Sequence, residues 1–401
     1  MNYHSIGRGR RGSHLGVSLL VAILVSACGG GGSGPAPQPP PDPVITPAQG
    51  QLLSATRLSS IPAADIASAI AQAGTRAPNV SPRYEVQSWR INYRTLDGAG
   101  QLVEASGLIS VPQKSANASS PLLSYQHGTT WRDAEAPSNH AVAAEPAIVM
   151  ASTGYIVIAP DYVGYGASKG KPHPYLLAAP SAAAVLDLLS ASKAWRSMQN
   201  LPDNGQLFMA GYSEGGYVTM AAHRALQAGS DAHKTQVVAV VTGAGPYHVS
   251  ATLDELLRRV RDENPLLAAV LSPGLLKNLS SSLRQQVRDL LLEEVQDDDD
   301  DVKIQPNFID YYLADDQAAL DQHSNVHDWK PEIGIKLYHG RDDQTVPYLS
   351  ASSTVKAMQA RGAGAQVSLS DCTAQPASHL GCVLPYWNFM LGEIGALARN
   401  L

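Results

Sequence analysis

Short apolar segments alternate with longer segments of helical periodicity along most of this chain. The runs Tyr155–Ala159 and Val237–Val241 are apolar at every position, which is typical of strands buried on both faces. The alanine- and leucine-rich stretch Ser181–Met198 between them predicts a helix. Strands that alternate with helices favour a mostly parallel sheet covered by helices on both faces. The sequence therefore predicts an α/β fold.

An antiparallel hairpin is expected before the parallel part of the sheet. Two segments of alternating apolar and polar residues flank the turn sequence Asp97-Gly98-Ala99-Gly100. The predicted strands are Tyr84–Arg94, Leu102–Val111, Pro121–Gln126, Tyr155–Ala159, Gln206–Ala210, Val237–Val241, Ile335–Tyr338 and Gln366–Leu369. The predicted helices are Ala141–Ser152, Ser181–Met198, Glu214–Ala228, Ser353–Arg361 and Pro385–Leu401.

The composition is that of a folded protein and excludes several functional classes. Of the 401 residues, 44% are hydrophobic and 16% are charged, which provides a large core and too little charge for a disordered polymer. The formal net charge of −6 makes the protein a poor candidate for binding phosphate backbones. No nucleic-acid partner is therefore expected.

The interval between the strands Val237–Val241 and Ile335–Tyr338 is too long for a loop. Much of it has helical periodicity, in the segments Leu253–Val260, Pro265–Val270 and Leu283–Val295. We expect residues 248–332 to form an inserted helical lid. The insertion would divide a core domain into residues 48–247 and 333–401.

Two acidic or histidine-rich patterns in this interval could bind a metal. The run Asp297–Asp301 lacks the spaced ligands and the glycine of a calcium loop, so a solvated turn is the better interpretation. Asp321, His323 and His327 include two histidines at helical spacing, as in some zinc sites, but no further ligand set is evident. We predict a polar helix face there and neither a metal nor a cofactor in the protein.

The sequence Gly211-Tyr212-Ser213-Glu214-Gly215-Gly216 follows a predicted strand and opens a predicted helix. The pattern Gly-x-Ser-x-Gly in this context lets the chain turn sharply and presents the serine hydroxyl at the tip of the strand. Ser213 is therefore the candidate nucleophile. The alternative is a serine in a tight glycine turn with no chemical role.

A serine nucleophile requires a base, and the base requires an orienting acid. The segment Tyr338–Pro347 resembles the His-Gly-x-x-Asp-x-x-Val-Pro segment of α/β-hydrolases, and this register selects Asp343 over Asp342 as the acid. In that fold the histidine follows the acid along the chain. His379 is the one histidine after Asp343, so it is the candidate base.

Attack on a carbonyl creates an oxyanion that needs N–H donors. One donor is expected to be the backbone N–H of Glu214, directly after the nucleophile. The loop after the strand Pro121–Gln126 resembles the His-Gly oxyanion loops of α/β-hydrolases, which implies a second donor at His127, Gly128 or Thr129. His127 as a second base is a weaker alternative, because its place before a glycine suits a turn.

The stretch from Ala159 to Tyr175 resembles secreted esterases and lipases with an inserted helical lid, including the fungal secretory lipases and their bacterial relatives. The resemblance spans roughly residues 80–400. It implies the α/β-hydrolase fold and a serine hydrolase that cleaves carboxylic esters of small molecules or lipids through an acyl-enzyme, with no cofactor. A serine peptidase or an acyltransferase on the same fold is an alternative, and a non-catalytic surface-binding lipoprotein is a further one.

The N-terminus has the pattern of an export signal. A basic start is followed by the apolar run Val17–Ala27, which is too short to span a membrane. The tetrapeptide Val25-Ser26-Ala27-Cys28 resembles the lipobox of bacterial lipoproteins, which implies a signal peptide at residues 1–28 and a lipid anchor on Cys28. Residues 29–47, rich in Gly and Pro, would then be a tether from the outer membrane. The alternative is an ordinary signal peptide and a secreted protein.

The remaining cysteines, Cys372 and Cys382, form an even pair in an oxidising compartment, which predicts one disulfide. His379 lies between them. A bridge there would restrain the loop that carries the candidate base.

Overall fold

Nine strands form one sheet in the computed structural model, which describes residues 48–116, 118–263, 271–296 and 300–401. In chain order the strands are β1 Leu52–Ile61, β2 Val86–Leu96, β3 Leu102–Pro112, β4 Ser120–Gln126, β5 Ile156–Pro160, β6 Asp203–Tyr212, β7 Val237–Gly243, β8 Ile335–His339 and β9 Val367–Asp371. The predicted signal peptide, Cys28 and the tether lie outside the described residues, as do residues 264–270 and 297–299.

The strand order in the sheet is β1-β2-β3-β5-β4-β6-β7-β8-β9. The pairs β1–β2, β2–β3 and β3–β5 are antiparallel, and the other five pairs are parallel. The predicted hairpin is β2–β3, paired from Val86 with Pro112 to Leu96 with Leu102. The prediction of a mostly parallel sheet is confirmed.

The helices are α1 Ala63–Ala73, α2 Pro146–Ala151, α3 Ala178–Met198, α4 Glu214–Ala228, α5 Val249–Glu263, α6 Ser281–Glu293, α7 Asn307–Leu313, α8 Gln317–His323, α9 Tyr348–Ala360 and α10 Val383–Gly395. Among the described residues, no helix is both long enough and apolar enough to cross a membrane.

Helices cover both faces of the sheet, and the side chains of β5 show why. Ile156 and Ile158 pack into the layer that contains α3 and α4, whereas Val157 and Ala159 pack into the layer that contains α2 and α10. Successive residues of a strand point to opposite faces, so a strand that is apolar at every position is buried on both sides.

Several predicted helix boundaries are wrong, and two elements of the core domain were not predicted. The helix predicted from Ser353 begins at Tyr348. The helix predicted from Ala141 begins only at Pro146, because proline at the first helical position fixes the start and the preceding residues form turns. The last helix ends at Gly395 rather than Leu401. Strand β1 and helix α1 were not predicted: most residues of β1 are exposed, so the strand lacks an alternating apolar pattern.

Between β7 and β8 the chain forms α5, α6, α7 and α8, within the segment 248–332 that we call the inserted segment. Helix α5 buries Leu253, Leu256, Leu257 and Val260, which lie at helical spacing. These leucines join the same apolar layer as α3 and α4. The inserted segment therefore packs onto the core domain through an amphipathic helix.

Candidate active site

The chain bends sharply at Ser213. Strand β6 ends at Tyr212 and α4 begins at Glu214, and Ser213 between them has φ 58° and ψ −125°. This backbone conformation is unfavourable for a residue with a side chain and costs about 1–3 kcal/mol. The N–H of Ser213 donates to the carbonyl of Gly243, 2.9 Å away, at the end of β7. Two strands and one helix therefore hold the bend.

Close backbone contacts explain the glycines around the bend. A Cβ on Gly211 would lie 2.3 Å from the carbonyl oxygen of Gly215, and one on Gly215 would lie 2.0 Å from that of Gln126. No side chain fits at either position without moving the backbone. The glycines allow α4 to start directly against the ends of β4 and β6.

Ser213, His379 and Asp343 are brought together although they are far apart in the sequence. The Nε2 atom of His379 lies 2.8 Å from Oγ of Ser213, and its Nδ1 atom lies 2.7 Å from Oδ2 of Asp343. Both distances are those of hydrogen bonds. A continuous hydrogen-bonded chain therefore connects the carboxylate to the hydroxyl.

Asp343 is a buried carboxylate with several donors. Its Oδ1 accepts from the N–H groups of Thr345 and Val346, each at 2.9 Å. Burial alone would raise the pKa of Asp343, but hydrogen bonds from His339 and His379 outweigh it and lower the pKa to about 2. Asp343 is therefore ionised at neutral pH and accepts from His379.

Asp342, the alternative acid, is exposed and faces elsewhere. Its Oδ2 accepts from the N–H of Ala377 at 2.9 Å, and its own N–H donates to the carbonyl of Ala377. Asp342 thus ties two loops together and, within the described part of the chain, makes no hydrogen bond with His379. The structure places Asp343, not Asp342, next to the candidate base.

His339 is a second histidine on Asp343, with a role that sequence reasoning missed. Its Nε2 lies 3.0 Å from the carbonyl of Val346 and 3.3 Å from Oδ2 of Asp343. A carbonyl only accepts, so Nε2 carries a proton and donates. The side chain is completely buried at the end of β8. The His-Gly pair at the end of a strand was visible in the sequence, but the turn that brings it back to the acid was not.

The loop that carries His379 is fixed at both ends. Cys372 and Cys382 form a disulfide, as predicted. The hydroxyl of Tyr212, next to the nucleophile, donates to the carbonyl of His379 at 2.7 Å. These two restraints hold the imidazole in place beside Ser213.

The loop after β4 approaches the bend as expected of an oxyanion loop. A Cβ on Gly128 would lie 3.7 Å from Cβ of Ser213. Gly128 and Thr129 line the cavity that contains Ser213, whereas His127 does not. Among the described residues, neither Gly128 nor Thr129 donates its backbone N–H to another protein group. Both N–H groups are therefore free to bind an oxyanion.

His127 supports this loop instead of lining the cavity. Its Nδ1 donates to the carbonyl of Gly128 at 2.8 Å, and its ring stacks on Tyr162 with the ring centroids 4.2 Å apart. Burial lowers the pKa of His127, so the ring is neutral near pH 7. A peptide unit is planar with its C=O and N–H opposed, so holding the Gly128 carbonyl also orients the N–H of Thr129.

Glu214 has a buried side-chain partner that sequence reasoning did not find. Its Oε1 lies 2.6 Å from Nε2 of His173, and both side chains are 2% exposed. The Nδ1 atom of His173 donates to the carbonyl of Val163 at 2.8 Å, so the pair shares one proton between Nε2 and Oε1. His173 also exchanges backbone hydrogen bonds with Lys303 and Gln305 of the inserted segment. The pair therefore links the start of α4 to the inserted segment.

A cavity of about 390 Å³ opens onto Ser213 and His379. The inserted segment contributes one side, including Leu253, Leu256 and Phe308. The core domain contributes aromatic residues from the ends of β4 and β6, from loops and from α10, namely Tyr125, Tyr212, Trp131, Tyr175 and Trp387. No sequence signal grouped these aromatics, because they lie on distant parts of the chain.

The histidines of the pattern in the inserted segment stack on other aromatic rings. The ring of His327 stacks on that of His248, with centroids 3.9 Å apart, and the ring of His323 stacks on Tyr311. Within the described ranges, no group of three or more metal-ligating side chains could hold an ion. Asp301 accepts from the N–H of Asp133, and the rest of the aspartate run lies partly outside those ranges.

A comparison with family models matches residues 138–297 to the secretory lipase family. The match covers 160 of the 401 residues, which is less than half of the chain. A sequence comparison with curated proteins finds no match.

Solved structures resemble this one over most of its length. The rice cell wall degrading esterase LipA from Xanthomonas oryzae is 23% identical, with a TM-score of 0.68 over 88% of this chain and 100% of that chain. Candida antarctica lipase A in its closed state is 19% identical, with a TM-score of 0.53 over 88% of this chain and 84% of that chain. The chain has the α/β-hydrolase fold, and the family match over residues 138–297 agrees with the resemblance to secretory lipases noted in its sequence.

Removal of the disulfide should destabilise the protein and loosen His379. For the double variant Cys372→Ser/Cys382→Ser we expect a loss of about 3 kcal/mol in the free energy of unfolding, because the reduced chain gains loop entropy. Guanidinium unfolding with and without reductant measures this. Reductant should lower the midpoint of the unmodified protein and leave that of the double variant unchanged; equal midpoints for all samples would contradict the prediction.

Removing one partner of the His173–Glu214 pair should lower the free energy of unfolding substantially. His173→Phe leaves a buried carboxyl without its partner, so we expect a loss of about 3–5 kcal/mol in the free energy of unfolding. The matched control is Arg361→Met, which breaks an exposed ion pair with Asp328 and should cost about 1 kcal/mol or less.

The double variant His173→Phe/Glu214→Met should recover much of that loss, because no unpaired carboxyl remains buried. The recovery is not complete, since the Val163 carbonyl loses one hydrogen bond. Denaturant unfolding of all four proteins measures the effect. Similar losses for His173→Phe and Arg361→Met would show that the buried pair is not a stabilising link.

Proposed function

We propose that this protein is a serine hydrolase that cleaves carboxylic esters through an acyl-enzyme. The observation that carries the proposal is the hydrogen-bonded chain from Asp343 through His379 to Ser213 at the edge of a largely apolar cavity. The family match and the esterase and lipase with the same fold support an ester as the substrate.

In the first step, Oγ of Ser213 attacks the ester carbonyl while Nε2 of His379 takes the hydroxyl proton. The carbonyl π electrons move to the oxygen and form a tetrahedral oxyanion. When this intermediate collapses, the bond to the alcohol oxygen breaks and His379 gives its proton to the leaving alkoxide. The acyl group remains on Ser213.

In the second step, water replaces the alcohol. His379 takes a proton from water as the oxygen attacks the acyl carbonyl, and it returns the proton to Oγ of Ser213 when the acid leaves. Asp343 keeps the Nδ1–H of the imidazole directed toward itself and stabilises the imidazolium that forms in both steps.

The oxyanion is held by backbone N–H groups. The first residue of a helix has no intrahelical acceptor for its N–H, so the N–H of Glu214 is available at the positive end of α4. The second donor comes from Gly128 or Thr129, on the loop that His127 orients. Loss of one such donor typically lowers turnover by about 10²–10³.

The cavity indicates the kind of ester. Its walls are mostly leucine, valine and aromatic side chains, so apolar groups on the substrate gain from leaving water. The inserted segment forms one wall and serves as a lid over the site. The substrate is accordingly an ester with alkyl or aryl groups.

The protein acts outside the cytoplasm and is held at a membrane surface. Cys28 carries the lipid, and residues 29–47 hold the folded body away from the outer membrane. Comparing the membrane fraction of the full chain with that of Cys28→Ser tests this part. Equal distribution of the two proteins would leave ordinary secretion as the explanation.

Replacing the nucleophile should abolish ester turnover without unfolding the protein. For Ser213→Ala we expect kcat on p-nitrophenyl butyrate to fall by about 10⁴ or more, because the acyl-enzyme cannot form. Circular dichroism and the unfolding midpoint serve as the control for folding. Turnover near that of the unmodified protein would refute the mechanism.

Replacing Asp343 should lower kcat far more than replacing its neighbour Asp342. Asp343→Asn is expected to lower kcat by about 10³–10⁴, since an amide no longer selects the productive tautomer of His379. Asp342→Asn, its matched control, should stay within about threefold of the unmodified protein because Asp342 is exposed and hydrogen-bonds to Ala377 rather than to His379 in the described structure. Steady-state kinetics on one chromogenic ester measures both, and the reverse order of effects would assign the acid to Asp342.

The same catalytic groups attack amides and transfer acyl groups to alcohols. Parallel assays on an ester, a peptide p-nitroanilide and an ester with added alcohol acceptor separate the three activities. We expect ester hydrolysis to give by far the highest kcat/KM. Faster amide cleavage would identify a peptidase, and dominant transfer to alcohol would identify an acyltransferase.

A further inference from the structure

A second apolar cleft of about 190 Å³ lies beside the Ser213 cavity. It is bounded by α1, by the start of α2 and by α10. Its lining includes Ala69, Ile70 and Val149, and Arg76 is the one charged residue among the side chains that line it. The established motifs of the site make no use of this cleft.

The two cavities share a wall. Val383 and Trp387 line both the cleft and the Ser213 cavity. They lie four residues apart on α10 and so occupy the same face of the helix. The boundary between the cavities is therefore one layer of side chains.

The helix that carries this wall is firmly anchored. Tyr386, next to Trp387, is 1% exposed, and its hydroxyl donates to the carbonyl of Val241 at 2.9 Å. Trp387 itself is only partly buried, and its ring packs at 5.4 Å between centroids against Tyr125, another residue of the Ser213 cavity. A substitution of Trp387 thus changes the wall and leaves the helix in place.

We propose that Trp387 limits the length of the alkyl chain that the active site accepts, and that the cleft behind it becomes a further alkyl subsite when the side chain is shortened. The inference rests on the proposed ester hydrolysis. The apolar lining of the cleft suits methylene groups, and the wall that it shares with the Ser213 cavity puts it directly behind Trp387.

The size of the effect follows from transfer energetics. Each methylene that leaves water for an apolar site contributes about fourfold in kcat/KM. A chain that extends two or more methylenes into the opened cleft should therefore gain at least about tenfold. Short chains do not reach the wall and gain nothing from its removal.

The experiment compares Trp387→Ala and the milder Trp387→Leu with the unmodified protein. Two ester series are used: p-nitrophenyl esters from acetate to dodecanoate, and alkyl acetates of increasing alcohol length. The readout is the ratio of kcat/KM for long and short esters, because this ratio does not depend on the fraction of folded enzyme. We expect the ratio to rise at least about tenfold in one series.

A bulky side chain introduced into the cleft at a residue that does not line the Ser213 cavity provides the specific control. Ala69 lines the cleft and not the Ser213 cavity, so Trp387→Ala/Ala69→Phe refills the opened space and should cancel the gain. Leu256→Ala widens the Ser213 cavity on its opposite side. Any long-chain gain in that variant should be insensitive to Ala69→Phe.

The results distinguish failure of the proposed role of Trp387 from failure of the proposed ester hydrolysis. Unchanged ratios in both series, with short esters still hydrolysed, would overturn the role of Trp387 and leave the proposed function intact. A gain in Trp387→Ala that Ala69→Phe does not reduce would also overturn it, because the chain would then occupy some other space. Hydrolysis of no ester by any of the proteins would overturn both proposals.

Discussion

The site depends on one strained bend. Ser213 adopts a positive φ between β6 and α4, and its N–H donates to the carbonyl of Gly243. The flanking Gly211 packs against Gly215, which in turn packs against Gln126. Because these groups belong to β4, β7 and α4, and the bend itself follows β6, the strain is maintained by the sheet as a whole. The bend places a hydroxyl, the N-terminus of a helix and the loop after β4 within one small space.

Polar groups around the bend are buried and paired. Asp343 holds its charge against the cost of burial through His339, His379 and two backbone N–H groups. The His173–Glu214 pair is a second buried hydrogen-bonded pair, at the start of α4. Backbone hydrogen bonds of His173 connect it to the inserted segment. Removing one member of such a network leaves a buried polar group without its partner, so the support of the site is as specific as the site itself.

Features that depend on a local sequence pattern, or on a known order of residues along the chain, could be predicted from the sequence. Ser213 was identifiable from a strand, a glycine-rich turn and a helix, and His379 from its position after the acid. Residues such as His173 and Trp387 were not identifiable, because their partners lie far away along the chain and no local pattern marks them. Strand β1 was not predicted for a different reason. It is an edge strand with most side chains in water, so its sequence has no alternation of apolar and polar residues.

The central claim is that the Ser213 hydroxyl is an activated nucleophile, and covalent labelling tests it most directly. The folded protein is treated with a fluorophosphonate, and intact-mass and peptide analysis locate the adduct. The account predicts one adduct per chain, on Ser213, formed rapidly at neutral pH and slowly in Asp343→Asn. Folded protein that takes up no label, or that carries the label on another residue, would contradict it.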